Sequence, residues 1–168
     1  MDKLLFRPME NEEFDKYKEI YLEEYIADIS KYEEEFTKQI GLKPREFALK
    51  QFKESLPDGM NTAYNFFWMV VNETNGQEIG FFWFSIVPDK MLSVLSQIHL
   101  HENHRALGYE NKILHFWEDY ISTAYPEIDI LYLHVFKHKS KKIYEEFGFS
   151  LFYESFEGDN LIKKLNQE

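Results

Sequence analysis

The chain has 168 residues, 44% of them hydrophobic, which is enough for one globular domain with a sizeable core. It contains no cysteine, which excludes a disulfide framework, a thiolate zinc site and a cysteine nucleophile. With 19 Lys and Arg against 30 Asp and Glu, the formal net charge of -11 argues against nucleic acid as a partner, since a phosphate-backbone binder shows a basic face. No run of about 18 uncharged apolar residues exists, and the opening MDKLLFRPMENEEF has no apolar signal region, so the expected location is the cytoplasm, with no membrane partner.

In chain order, Leu4, Leu5 and Phe6 form a short apolar run ending at Pro8, read as a strand. Phe14, Tyr17, Tyr21, Leu22 and Tyr25 then recur at helical spacing. A second helix is expected from Pro44, carrying Phe47, Phe52 and Leu56 inward and stopping before the turn Pro57-Asp58-Gly59. Phe66 to Val71 and Ile79 to Val87 are aromatic and β-branched runs, separated by a segment whose Asn75-Gly76 pair favours reversal, and they read as an antiparallel hairpin. Ser93 to His101 reads as a strand and Glu110 to Ala124 as a helix ending before Pro126. Ile130 to Phe136 is a strand, Ile143, Tyr144 and Phe147 mark a short helix closed by Gly148, and runs around Phe149 to Tyr153 and Leu161 to Leu165 finish a sheet. With no repeat, low-complexity tract or linker, residues 1–168 are expected as a single domain of the α+β class, with one parallel crossover through the Glu110 to Ala124 helix.

Charge is unevenly spread. Eleven Asp or Glu against three Lys fall between Glu10 and Glu35, whereas Lys137, Lys139, Lys141 and Lys142 crowd one stretch. That pattern suits a cationic substrate and an anionic ligand, or two solvated faces.

The segment from Leu100 to Asn111, reading LHENHRALGYEN, joins a strand to a helix. Such a junction presents free backbone N–H groups at the helix N-terminus, Arg105 adds positive charge and Gly108 allows close backbone approach, so the junction reads as an anion site or as an ordinary turn. A second segment, Leu133 to Phe149, contains Ile-Tyr-Glu-Glu-Phe-Gly-Phe at its end. The strand-Arg-x-x-Gly-helix element, followed after one helix and one strand by that short helix, resembles the GNAT superfamily of N-acetyltransferases. Its typical form is Gln/Arg-x-x-Gly-x-Gly/Ala in a pyrophosphate loop and Leu-Tyr-Glu-x-x-Gly-Phe near the C-terminus. The resemblance covers Ile79 to Leu165 and, before that, only the order of elements.

The resemblance implies a central mixed, mostly antiparallel sheet flanked by helices, and transfer of an acetyl group from acetyl-CoA, as co-substrate, to a primary amine by direct attack. It makes Ser93 to His101 the strand that pairs with the pantetheine arm, through Ile98 and Leu100. It sets Arg105, Ala106, Leu107, Gly108, Tyr109 and Glu110 around the pyrophosphate and Tyr144 as the acid that protonates the departing thiolate. Glu110 stands where the family has Gly or Ala, Leu107 replaces an often basic residue, and the stretch before Tyr144 is shorter and lacks the usual Asn. Lys137 or Lys139 occupies that neighbourhood and would meet the 3′-phosphate.

An alkylamine with a pKa near 10.4 is charged at neutral pH, so a base or a water wire is needed. His99 lies where the family often has a carboxylate and is the candidate base. His99, His101 and His104 also form His-x-His-x-x-His, yet no carboxylate falls at ligand spacing and acyl transfer needs no metal, so none is expected. Three readings follow: an acetyltransferase acting on a small-molecule or peptide amine, a degenerate relative that binds a ligand or protein without turnover, and a homodimer module whose exposed aromatic strand pairs with a second copy.

Overall fold

The computed structural model describes residues 3–165, which fall into two compact units, Met9–Ala63 and the remainder. The first unit is helical: α1 (Asn11–Ser30), α2 (Glu33–Ile40) and α3 (Pro44–Ser55). The amide of Glu10 at the start of α1 donates to Glu13 Oε1 at 2.9 Å, supplying one of the acceptors a helix start needs. Phe14, Tyr17, Leu22, Ile26 and Ile29 are the buried face of α1. Tyr21, half-buried, stacks on Tyr25 and meets Phe52 of α3 at 5.7 Å, while Phe36 of α2 meets Phe47 of α3 at 5.2 Å. Pro44 occupies the first turn of α3, where its missing N–H costs nothing. The periodicity does not foresee α2, because EEEFTKQI has only Phe36 and Ile40 as apolar marks; Phe36 is buried and Gly41, at φ 80°, ends the helix.

The second unit is a seven-stranded sheet: β1 (Leu4–Pro8), β2 (Asn65–Asn72), β3 (Glu78–Val87), β4 (Leu92–Leu100), β5 (Ile130–Phe136), β6 (Ser150–Glu154) and β7 (Gly158–Lys164), in spatial order β1-β2-β3-β4-β5-β7-β6. Only β4 and β5 run parallel, joined by the helix α4 (Tyr109–Ala124); α5 (Lys142–Phe147) follows β5. A mixed, mostly antiparallel sheet with helices is thus the observed architecture.

One sheet face carries the core. Ile113, Leu114, Trp117 and Ile121 of α4 pack with Phe82, Phe84, Leu95, Leu131, Leu133 and Leu161, joined by Phe147 and Phe149. The indole of Trp117, fully buried, donates to Ser93 Oγ at 2.9 Å, and Ser93 Oγ donates to the Ser85 carbonyl at 2.8 Å, so these two buried donors are satisfied in a relay. The aromatic hairpin is spent in packing: Phe66, Trp68, Phe82 and Phe84 meet Phe116 and Tyr120, and on the other face Phe67 stacks on Trp83. Leu151, Phe152 and Tyr153 form a run of exposed large apolar side chains on β6.

Candidate functional site

The site begins with an irregularity in β4. Trp83 pairs with Gln97 and Phe84 with Leu95, so Ser96 is an extra residue, a bulge. Strict alternation from Leu95 would send Gln97 and His99 into the core. The bulge reverses the parity, so that Ile98 and Leu100 pack on the core and His99 turns to the opposite face, stacked on Phe81 at 5.0 Å. Beside the bulge the two parallel strands part: their ladder ends at Leu95–Leu133, while β4 continues to Leu100 along β3 and β5 to Phe136 along β7. A wedge opens between them, edged by strand backbone that no ladder between β4 and β5 uses.

The loop leaving β4 leads straight to α4. Arg105 Nε donates to the Leu100 carbonyl at 2.9 Å, tying the loop to the strand end. Ala106 has φ 59° and Gly108 φ 84°; the left-handed region suits Gly108 and strains Ala106. Gly108 is the N-cap of α4 and gives it no side-chain cap, so the first-turn amides lack the acceptor a Ser or Asp would supply. Arg105, Ala106, Leu107 and Gly108 are exposed, Tyr109 is buried in the core, and Glu110 is half-exposed in the first turn. Five of the six expected loop positions therefore surround an uncapped helix start and the sixth anchors it.

From the far side comes α5, closed by Gly148 at φ 111°. Tyr144 is half-buried, edge-on to Phe149 at 6.4 Å, and its hydroxyl makes no hydrogen bond among the described residues. Burial pushes this hydroxyl above the usual phenol range, and the Glu110 carboxylate adds to the rise. The structure thus brings together the first turn of α4 and Tyr144, which the sequence holds apart. In the turn before α5, Lys137 and Lys139 are exposed and Lys141 binds Asp159 at 2.8 Å; Lys142, the first residue of α5, lies 3.8 Å from Glu146.

On the opposite sheet face His99 and His101 lie 5.4 Å apart, and among the described residues no group of three or more His, Cys, Asp or Glu is arranged to hold a metal ion. The same face of β5 carries residues the sequence reading passed over. Leu131, Leu133 and Val135 go to the core, so Tyr132, His134 and Phe136 face away, a period-two signal visible in ILYLHVF. Tyr132 hydrogen-bonds Asn160, which also donates to Ser155 Oγ at 2.8 Å. His134 Nε2 lies 3.3 Å from Glu157 Oε1, with side chains 25% and 19% exposed, but the pair does not reach hydrogen-bond geometry. Burial lowers the basicity of His134, opposed by Glu157 and Asp159. Gly158 makes the space: a Cβ there would stand 2.8 Å from His134 Nε2.

No family model matches the chain, and no curated protein matches it. Solved structures do. YycN of Bacillus subtilis is 22% identical, with a TM-score of 0.76 over 92% of this chain and 96% of its own. Spermidine N-acetyltransferase of Vibrio cholerae, in complex with CoA and spermine, is 16% identical, with a TM-score of 0.65 over 96% and 95%. A GNAT-family acetyltransferase of Staphylococcus aureus Mu50 is 15% identical, with a TM-score of 0.62 over 98% and 100%. The chain has the fold of the GNAT acetyltransferases.

Proposed function

We propose that the chain is an N-acetyltransferase that moves an acetyl group from acetyl-CoA to a primary amine by direct attack. The observation that carries this reading is the wedge between β4 and β5, which opens beside an uncapped helix N-terminus and a tyrosine hydroxyl with no partner among the described residues. Strand backbone at Ile98 and Leu100, beyond the end of the β4–β5 ladder and with the Leu100 carbonyl held by Arg105, suits the amide-bearing pantetheine arm. The amides from Arg105 to Glu110 suit the pyrophosphate, and Lys139 the 3′-phosphate. Tyr144 keeps its proton across the neutral range and gives it to the thiolate as the C–S bond breaks. A thioester is already activated, so positioning supplies much of the remaining rate. The net charge of -11 favours a cationic acceptor, and polyamines enter as candidates because the Vibrio cholerae neighbour is a spermidine N-acetyltransferase.

A second reading, binding without turnover, draws on Glu110, whose carboxylate sits in the turn that would face the phosphates. Calorimetry with acetyl-CoA and desulfo-CoA, followed by an acceptor screen, separates the two. Binding with acetyl transfer to any amine supports the enzyme, binding with no transfer supports the second reading, and absence of binding ends the enzyme reading.

A further inference from the structure

An alkylammonium must lose a proton before it can attack, and the faces of the sheet divide the work. Tyr144 packs on the core face, beside the opening between β4 and β5. His134 is the residue of β5 directly after Leu133, the last to pair with β4, and it faces the other way. An acid and a titratable imidazole thus flank one opening from opposite faces, the arrangement needed when an amine enters on one side and a thiolate leaves on the other.

We propose that His134 is the general base of the reaction, with Glu157 the carboxylate that positions it. The inference rests on the acetyl-transfer reading above. Glu157 Oε1 lies 3.3 Å from Nε2, so its negative charge favours the tautomer that carries the proton on that nitrogen and leaves the lone pair on Nδ1, and Gly158 leaves room for the ring. His99 is less suited, being 8% exposed and laid flat on Phe81 with their planes 22° apart. The charged and titratable groups around His134 are Glu157, Asp159 with its partner Lys141, Tyr132, and Tyr153 on β6.

The steps balance. The ammonium gives a proton to His134, which releases it to solvent. The amine nitrogen bonds to the thioester carbonyl carbon, the C–S bond breaks, and Tyr144 protonates the thiolate. The second nitrogen proton returns Tyr144 to its neutral form, leaving the N-alkyl acetamide of the acceptor and free CoA.

Two measurements test this. Nitrogen-15 NMR of the imidazoles needs no acceptor: His134 is expected as the neutral Nε2–H tautomer at pH 7, titrating below the ordinary 6.5, and lower still in Glu157→Gln, because the carboxylate raises it. An Nδ1–H tautomer, or a charged ring at pH 7, overturns the proposal. In kinetics with saturating acetyl-CoA and spermidine as probe, His134→Asn is expected to lower kcat/KM ~10²-fold or more and to remove the acid limb of its pH profile, with acetyl-CoA affinity unchanged. Glu157→Gln shifts that limb to lower pH, an effect that a merely structural contact would not have, and His99→Asn retains it. A folded His134→Asn protein with the parent's turnover and acid limb overturns the proposal while leaving acetyl transfer intact. Loss of acetyl-CoA binding in the parent protein overturns the underlying reading instead. If His134→Asn does not fold, or spermidine is not acetylated, the NMR titration of the parent and Glu157→Gln proteins decides.

Discussion

At the scale of single residues, Tyr144 and Glu110 form one electrostatic unit although 34 positions separate them in the chain. Because the Tyr144 hydroxyl has no hydrogen bond among the described residues, Tyr144→Phe removes no bonded group, and its stability cost should fall below the ~1 kcal/mol of a lost hydrogen bond. Turnover should fall ~10²-fold with acetyl-CoA binding unchanged, read by calorimetry and initial rates; a normal rate would remove Tyr144 from the chemistry. Glu110→Gln removes a like charge from the phosphates and a cause of the raised tyrosine basicity. Acetyl-CoA should bind more tightly, and the basic limb of kcat/KM should move down towards pH 10, the ordinary phenol value. A raised phenol also sets the sign of a stability effect: the native state holds the proton longer than the unfolded chain, so this contribution is full below pH 10 and is lost as pH climbs through the native value.

At the scale of elements, the approach of β3 to β4 depends on Gly80, where a Cβ would stand 2.0 Å from the His99 carbonyl oxygen. That atom is backbone and cannot swing away, so Gly80→Ala should force the strands apart and cost several times the ~1 kcal/mol of a typical substitution, seen as a lowered Tm. An unchanged Tm would mean that the strands separate there without loss. This part of the sheet also shows what a sequence can and cannot tell. The strands, α4 and α5 were legible because their apolar residues keep period two or 3.6 and end at Gly148 and Pro126. The Ser96 bulge was not legible, since an extra residue leaves no mark in composition, yet it decides which face His99 takes. The segment from Arg105 to Glu110 stands out in sequence as a strand-to-helix junction with Arg105 and Gly108, and its proposed role comes from the resemblance. His134 and Glu157 were missed because their meeting depends on the pairing of β5 with β7, and the glycine that admits the ring reads in sequence only as a turn.

At the scale of the whole molecule, charge distinguishes the two substrates of the proposed reaction. The chain carries -11, and its basic stretch is partly neutralised, since Lys141 is held by Asp159 and Lys142 lies near Glu146. A field of that sign concentrates cations around the molecule at low salt, and its reach contracts as the screening length falls to about 10 Å at 0.1 M. If the acceptor is a polyamine, its KM should rise several-fold between about 0.02 and 0.3 M salt while kcat stays constant, because screening weakens encounter and leaves the chemistry alone. An acceptor with a single amine should respond far less. Measuring both acceptors at constant pH across the salt series separates this field from specific ion pairing: a rise confined to the polyamine supports charge-based attraction, and equal, flat responses would show that recognition lies wholly in short-range contacts at the wedge.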